Sequence, residues 1–224
     1  DNTLLLGIHK VQVGSITKTL MAAGTLSLVT EELLSLNTPI TEILPELPFD
    51  TPWQKFNPIL VHHLLDHTSG LHNLRLRHLL NSKATPNSEL DEIFSNDPVL
   101  LQVFPPPGEY FSYSNLGYNI LAMVIERVIG ERYETLLQQQ RLLPLGMPNS
   151  SFNYIAQTGD YADPLLAFGH LDNRQSINNI PNYLRAVSQF TATPKDMQKF
   201  VAFLMGYKNT NNLRGQVRRK ITVF

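Results

Sequence analysis

Apolar side chains recur every three or four residues in several segments of the chain, which is the spacing of one face of an α-helix. In the first segment, Ile16, Leu20 and Leu26 follow Gly14 and share one helical face. Prolines, glycines and small polar residues bound the segments and mark helix ends. The pattern predicts helices near residues 15–32, 58–67, 115–129, 131–142 and 194–205, and a short sixth helix that begins near Ser88.

Helix boundaries in the second segment are predicted from single residues. Asn57 followed by Pro58 is typical of an N-cap with proline at the first helical position. The helix is expected to run to about His67 and to stop at Gly70.

Strand patterns are rare in the sequence. Residues 4–13 are typical of a short strand or an extended lead-in, and residues 221–224 of the beginning of another strand. We therefore expect a mainly helical chain with a small antiparallel sheet. A length of 224 residues suits one domain of ordinary size or two interleaved lobes, and we expect a single domain over residues 1–224.

The composition excludes several classes of function. Hydrophobic residues make up 42% of the chain, which is enough to bury a core. The 18 basic and 19 acidic residues leave a net charge of −1, so there is no general electrostatic attraction to nucleic acid or anionic lipid. The chain has no cysteine, which excludes disulfides, cysteine zinc sites and thiol catalysis.

No apolar stretch approaches the ~18–20 residues that span a membrane. The best candidate, residues 20–28, is interrupted by Gly24, Thr25 and Ser27. Because the sequence begins at Asp1 without a basic-then-apolar leader, we expect a processed protein or a fragment. The absence of cysteine fits an exported bacterial protein, so a periplasmic or other extracytoplasmic location is expected.

Ser15 and Lys18 are the first candidates for chemistry, because residues i and i+3 of a helix lie on the same face. A serine becomes a nucleophile when a base takes its proton. A lysine can be that base when burial and the helix dipole depress its pKa. The Ser15 backbone N–H could also form half of an oxyanion hole. The alternative is a chance coincidence of two common residues.

Tyr113, Ser114 and Asn115 follow a proline-rich connector and precede a predicted helix, so their side chains are expected on a turn. A phenol near a lysine could pass a proton to a leaving group. The alternative is a tyrosine that packs its ring, with Asn115 as the N-cap of the helix.

Five histidines lie between residues 62 and 78, namely His62, His63, His67, His72 and His78. His63 and His67 have the i, i+4 spacing of a zinc site, and Asp66 could be a ligand or a base. However, the H-E-x-x-H pattern fails because Leu64 occupies the glutamate position. We therefore assign the histidines to packing and hydrogen bonds, and a metal-dependent hydrolase remains an alternative.

Four segments together resemble the serine β-lactamase and penicillin-binding protein family, in its class C-like, esterase and D-peptidase branch. They are V-G-S-I-T-K-T-L at 13–20, V-H-H-L-L-D-H-T-S-G-L at 61–71, P-G-E-Y-F-S-Y-S-N-L-G-Y at 107–118 and P-L-G-M at 144–147. They occur in the family's order, and the similarity covers roughly residues 10–205.

The resemblance implies a role for each candidate residue. Ser15 would be the acylated nucleophile, Lys18 its base and Tyr113 the proton shuttle. Asn115 would contact both the substrate and Lys18. The substrate would be a β-lactam, a D-amino-acid peptide or a small ester, and no cofactor or metal is implied.

The resemblance also implies a β-lactamase/transpeptidase-like fold of the α+β class. This chain would hold the nucleophile helix at about 15–32, a helical lobe at about 53–205 and a truncated return to the sheet at about 206–224. The sheet would be largely incomplete.

One family motif is not found in the sequence. The 224 residues contain no K-T-G or H-T-G string, and the nearest is Gln157-Thr158-Gly159. The resemblance assigns this motif to a sheet strand that supplies the second oxyanion N–H. A catalytically impaired binding module of the same fold is therefore the main alternative to a serine hydrolase.

Overall fold

A computed structural model describes residues 4–79, 85–177 and 185–206. The α-helices of this part are α1 (Thr17–Thr30), α2 (Ile40–Ile43), α3 (Val61–Leu65), α4 (Leu76–Leu79), α5 (Glu92–Asn96), α6 (Asn115–Ile129), α7 (Tyr133–Leu137), α8 (Arg185–Ser188) and α9 (Pro194–Leu204). Two 3-10 segments, Gly14–Ile16 and Pro98–Leu101, and a π-helical segment, Gln138–Leu142, also occur. The strands are β1 (Val11–Gln12), β2 (Gly169–His170), β3 (Ser176–Ile177) and β4 (Thr191–Ala192).

Helix α1 and the 3-10 turn before it confirm the helix predicted near 15–32. Gly14 begins the turn with a φ of +57°, a left-handed conformation that glycine adopts without a steric penalty. The Thr17 hydroxyl then donates a 2.6 Å hydrogen bond to the Gly14 carbonyl oxygen. Further along, Gly24 lies so close to Leu137 that a β-carbon at this position would overlap the leucine side chain. Helix α1 is therefore packed closely against α7 at this point.

Helix α6 begins and ends at the predicted residues, Asn115 and Ile129. Its N-cap is Ser114, whose hydroxyl oxygen accepts a 3.0 Å hydrogen bond from the Gly117 N–H. Its C-cap is Gly130 in the left-handed conformation. The alternative role of Asn115 as N-cap is wrong, because the preceding serine fills that position.

Helix α3 corrects the prediction for residues 58–67. It covers only Val61–Leu65, and its N-cap is Leu60 rather than Asn57. The side-chain amide of Asn57 donates instead to the carbonyl oxygen of Pro107, 2.8 Å away. The helix stops well before Gly70, because His67 has a left-handed φ of +62°.

Two other helices begin later than predicted. Ser88 does not start a helix, because its hydroxyl accepts a 3.0 Å hydrogen bond from the Thr85 N–H in a turn, and α5 begins only at Glu92. The helix predicted at 131–142 is α7 followed by the π-helical segment.

Helix α9 matches its predicted range of 194–205, and the Thr193 hydroxyl caps it by accepting from the Asp196 N–H.

The strands form two antiparallel pairs, as expected for a small sheet. Strand β1 pairs with β4, with Val11 opposite Ala192, and β2 pairs with β3, with Gly169 opposite Ile177. The strand predicted over residues 4–13 is reduced to the two residues of β1. Residues 207–224 lie outside the described residues. They include the strand predicted at 221–224 and all of the predicted return to the sheet except residue 206.

The hydrophobic core surrounds α6, which contacts α1, α2, α3, α7 and α8. The α6 side chains Leu116, Ile120, Leu121, Val124 and Ile125 are fully buried. Within the described part of the chain, no helix has both the length and the apolar composition needed to cross a bilayer.

Candidate active site

Ser15 and Lys18 lie where the 3-10 turn passes into α1. The Ser15 side chain is exposed, whereas Lys18 in the first turn of α1 is only 5% exposed. At the beginning of a helix the backbone N–H groups have no earlier carbonyl partners, and the positive end of the helix dipole favours negative charge. This position therefore suits a serine that develops negative charge.

Two polar side-chain groups lie within hydrogen-bonding distance of the Ser15 hydroxyl. Lys18 Nζ lies 3.3 Å from Ser15 Oγ, and the Tyr113 hydroxyl donates a 2.9 Å hydrogen bond to the same oxygen. Lys18 Nζ also donates a 3.2 Å hydrogen bond to the carbonyl oxygen of Val187 on α8. Sequence reasoning missed Val187, because a backbone carbonyl carries no signal in the residue type.

Burial lowers the pKa of Lys18 below its usual value of 10.5. A hydrogen bond and the electrostatic interaction with Tyr113 oppose this shift. The ammonium group also lies over two aromatic rings, 5.1 Å from the ring centre of Tyr113 and 5.8 Å from that of Tyr118. Burial raises the pKa of Tyr118 to about 12, so this second phenol stays protonated and donates to the Leu65 carbonyl oxygen.

His67 supports the segment that carries Tyr113. The His67 carbonyl oxygen accepts a 2.8 Å hydrogen bond from the Ser112 N–H, and His67 Nδ1 accepts a 3.1 Å bond from the Ser114 N–H. The imidazole and the Tyr113 ring pack together with their planes tilted by 36° and their centres 4.4 Å apart. Two hydrogen bonds and a ring contact with His67 therefore converge on the segment that carries Tyr113.

Asn115 lies beside this group but does not make the expected contact with Lys18. Its backbone N–H and its side-chain amide each donate a 3.1 Å hydrogen bond to Asn73 Oδ1. The same oxygen accepts a 2.8 Å bond from the Leu74 N–H. Sequence reasoning missed Asn73, although its place just after the H-T-S-G-L segment was a usable signal.

The histidines use their ring nitrogens in separate local bonds. His62 Nδ1 pairs with the Leu36 carbonyl oxygen, His63 Nδ1 accepts from the Leu60 N–H, and His78 bonds the Arg75 N–H and Asp97. The His72 ring packs against Phe104, with ring centres 5.1 Å apart. Over residues 4–79, 85–177 and 185–206, no three histidine or acidic side chains converge as metal ligands would.

A family model described as beta-lactamase matches residues 9–222. The chain belongs to the β-lactamase family. A curated relative, penicillin-binding protein 4* of Bacillus subtilis strain 168, is 28% identical over 139 residues, which are 61% of this chain and 29% of that protein. Protein flp of Staphylococcus aureus strain NCTC 8325 is 27% identical over 144 residues, which are 64% of this chain and 28% of that protein.

Solved structures agree with this membership. A class C β-lactamase mutant is 19% identical and superposes with a TM-score of 0.76 over 98% of this chain and 57% of its own. D-amino acid amidase from Ochrobactrum anthropi SV3 is 26% identical, with a TM-score of 0.72 over 91% of this chain and 57% of its own. The chain therefore has the β-lactamase/transpeptidase-like α+β fold, and it spans less than a third of the curated relatives and just over half of these structures.

Proposed function

We propose that the chain is a serine hydrolase that forms an acyl-enzyme on Ser15. One observation carries the proposal: Ser15 Oγ lies within hydrogen-bonding reach of both Lys18 Nζ and Tyr113 Oη, at the positive end of a helix. A nucleophile, a base with a depressed pKa and a proton shuttle are the parts that acyl transfer needs.

The proton would move from Ser15 to Lys18 as Ser15 Oγ attacks the substrate carbonyl carbon. A neutral lysine has two N–H groups and one lone pair. One N–H can donate to the Val187 carbonyl oxygen, which leaves the lone pair free to face Ser15 Oγ. Burial of Lys18 supports this role, because it favours the neutral amine.

Tyr113 would return the proton. When the carbonyl re-forms and the bond to the leaving group breaks, the leaving nitrogen or oxygen needs a proton. The Tyr113 hydroxyl can give its own proton and recover one from Lys18. Water would then hydrolyse the Ser15 ester by the reverse proton path, which completes one turnover.

The substrate class that we propose is a β-lactam, a D-amino-acid peptide or amide, or a small ester. All three present a carbonyl with a leaving nitrogen or oxygen to the same three groups. The 26% identity to a D-amino acid amidase and the 28% identity to a penicillin-binding protein support this range. Asn115 is proposed as the substrate contact, because it lies beside Tyr113 with its amide fixed by Asn73. The extracytoplasmic location stays a prediction.

A covalent probe tests the nucleophile directly. A fluorescent penicillin and a fluorophosphonate are incubated with the chain, and intact mass followed by peptide mapping locates the adduct. We expect one adduct on Ser15, none in Ser15→Ala, and an unchanged adduct in Ser35→Ala, which changes an exposed serine on the loop after α1. An adduct that persists in Ser15→Ala refutes the assignment.

A non-catalytic binding module is the second candidate, because the 224 residues contain no K-T-G or H-T-G string. In that case β-lactams or D-peptides would bind reversibly, without a mass increase. Calorimetry that detects binding while intact mass detects no adduct would favour this candidate. The metal-dependent alternative gains no support from the separate local bonds of the histidines.

A further inference from the structure

His67 holds the Tyr113 segment from both sides of that residue. Its carbonyl oxygen accepts a hydrogen bond from the N–H of Ser112, its Nδ1 accepts one from the N–H of Ser114, and its ring packs against the ring of Tyr113 between them. The two hydrogen bonds fix the backbone on either side of Tyr113, and the ring contact fixes the side chain. No other described residue makes all three kinds of contact with this segment.

The backbone of His67 is adapted to this task. Its φ of +62° is a left-handed conformation that residues with a β-carbon rarely adopt, and asparagine adopts it more readily than most. Non-glycine residues keep such a conformation where surrounding contacts over-determine it, and such positions cluster at functional sites. The unusual backbone and the three contacts are independent observations about one residue.

We propose that His67 is a positioning residue, whose neutral imidazole holds its proton on Nε2 and fixes the Tyr113 hydroxyl against Ser15. The proposal rests on the role proposed for Tyr113 above. The hydrogen bond requires this tautomer, because Nδ1 can accept from the Ser114 N–H only when it carries no proton.

The groups around the imidazole favour its neutral form. Burial lowers the pKa of His67, the charged form of Lys18 on α1 adds to this shift, and Asp66 opposes it. The rings of Phe111, Tyr113 and Tyr118 also pack against the imidazole. Protonation of His67 in acid would break the bond to Ser114 and release one end of the segment.

Three substitutions separate the contributions of His67. His67→Asn keeps a short acceptor and suits the left-handed backbone, His67→Phe keeps a ring without an acceptor, and His67→Ala keeps neither. We expect the acylation rate constant of Ser15 to fall about tenfold or more in the alanine and phenylalanine variants and less than fivefold in the asparagine variant. The matched control is His72→Ala, whose exposed ring packs on Phe104, and its rate should be unchanged.

A double-mutant cycle with Tyr113→Phe distinguishes positioning from general stability. If His67 acts through the Tyr113 hydroxyl, the His67 substitutions change the rate less than twofold in the Tyr113→Phe background. An undiminished effect in that background overturns the proposal. Wild-type acylation rates in Tyr113→Phe itself would instead refute the role of Tyr113, and the inference would fall with it.

A measurement without catalysis tests the same geometry. ¹⁵N NMR of the imidazoles, with the His67 signal assigned by its loss in His67→Asn, should show the Nε2–H tautomer at neutral pH. The Nδ1–H tautomer would overturn the proposal whatever the rates are.

Discussion

Lys18 Nζ donates a 3.2 Å hydrogen bond to the carbonyl oxygen of Val187, 169 positions further along the chain. Val187 belongs to α8, which begins at Arg185. Arg185 forms ion pairs with Glu134 at 3.1 Å and with Glu126 at 3.4 Å, and both Arg185 and Glu134 are only 3% exposed. The proposed base is therefore held by an element that a buried ion-pair network fixes to the core.

Removal of the Lys18 amine should affect both acylation and stability. Lys18→Ala is expected to slow labelling of Ser15 by orders of magnitude, because no base remains. It should also lower the free energy of unfolding by roughly 1–3 kcal/mol, because the Val187 carbonyl and Tyr113 lose their partner. Denaturant unfolding and time-resolved intact mass measure the two effects. Labelling at the wild-type rate would contradict the assignment of Lys18 as the base.

The ion pair between Arg185 and Glu134 predicts that substitutions of these two residues have strongly non-additive effects on the free energy of unfolding. Burial raises the pKa of Glu134 to about 7, although the nearby Arg132 opposes the shift. Arg185→Met leaves this carboxyl paired with the partly exposed Arg132, 3.3 Å away, and should destabilise the fold by roughly 1–3 kcal/mol. It should also slow acylation, because α8 carries the Lys18 acceptor.

The double variant Arg185→Met, Glu134→Leu is the matched control for this pair. It removes both buried charges and should recover most of the lost stability. Additive losses in the double variant would show that the two residues do not act as a pair.

His63 should make the protein less stable in mild acid. Burial, reinforced by the charge of His62, lowers the pKa of His63 from 6.5 to about 4, while Asp66 opposes the shift. As the pH falls below 6.5 the unfolded chain takes up the proton first, so stability is lost between pH 6.5 and about 4. The loss is at most ~1.4 kcal/mol per pH unit for one proton.

The variant His63→Asn isolates this effect. It keeps an acceptor for the Leu60 N–H and cannot titrate, so its unfolding free energy should depend less steeply on pH in this window. Urea unfolding at pH 7 and pH 4.5 measures the dependence of the unfolding free energy on pH in both proteins. Equal slopes in the wild type and His63→Asn would contradict the prediction.

Metal removal should have no effect on labelling. The Nδ1 atoms of His62, His63, His67 and His78 form hydrogen bonds with four separate parts of the chain. We expect EDTA to leave the labelling rate of Ser15 unchanged, and His63→Ala to alter stability without altering metal content by mass spectrometry. Stoichiometric zinc that is lost in His63→Ala would revive the metal-dependent alternative.

A protein of these 224 residues is expected to acylate slowly and to turn over little. An oxyanion needs two preorganised donors, and loss of one typically slows the reaction by ~10²–10³. The Ser15 N–H is the first donor that we propose, and the resemblance assigns the other to a motif that this sequence does not contain. Multiple-turnover hydrolysis of a chromogenic cephalosporin would contradict this expectation. If that activity is lost in Ser15→Ala, the assignment of Ser15 as the nucleophile still holds.

The parts of the fold that local residues determine could be predicted from the sequence. Helix α6 has both bounds right, because Ser114 and Gly130 cap it through bonds within five residues of each end. Helix α3 was predicted too long, because the Asn57 side chain bonds Pro107, 50 positions away, instead of capping a helix. Such long-range partners leave no trace in a local pattern.

The same division applies to the candidate site. The spacing of Ser15 and Lys18 on one helix predicts their contact, and the structure has it. The contact expected between Asn115 and Lys18 is replaced by the bonds of Asn115 to Asn73, and the backbone acceptor of Lys18 on α8 could not be foreseen. Both depend on how distant segments pack.

The long sequence separations within the site have a consequence for the newly made chain. Tyr113 lies 98 positions from Ser15, and Val187 lies 169 positions from Lys18, so the four groups assemble only after large loops have closed. Until then Ser15 is an ordinary alcohol, inert towards acylating compounds. The reactivity that we propose for Ser15 would therefore appear only once folding is complete. A labelling time course during refolding would then follow the last packing event rather than formation of the helix that carries the serine.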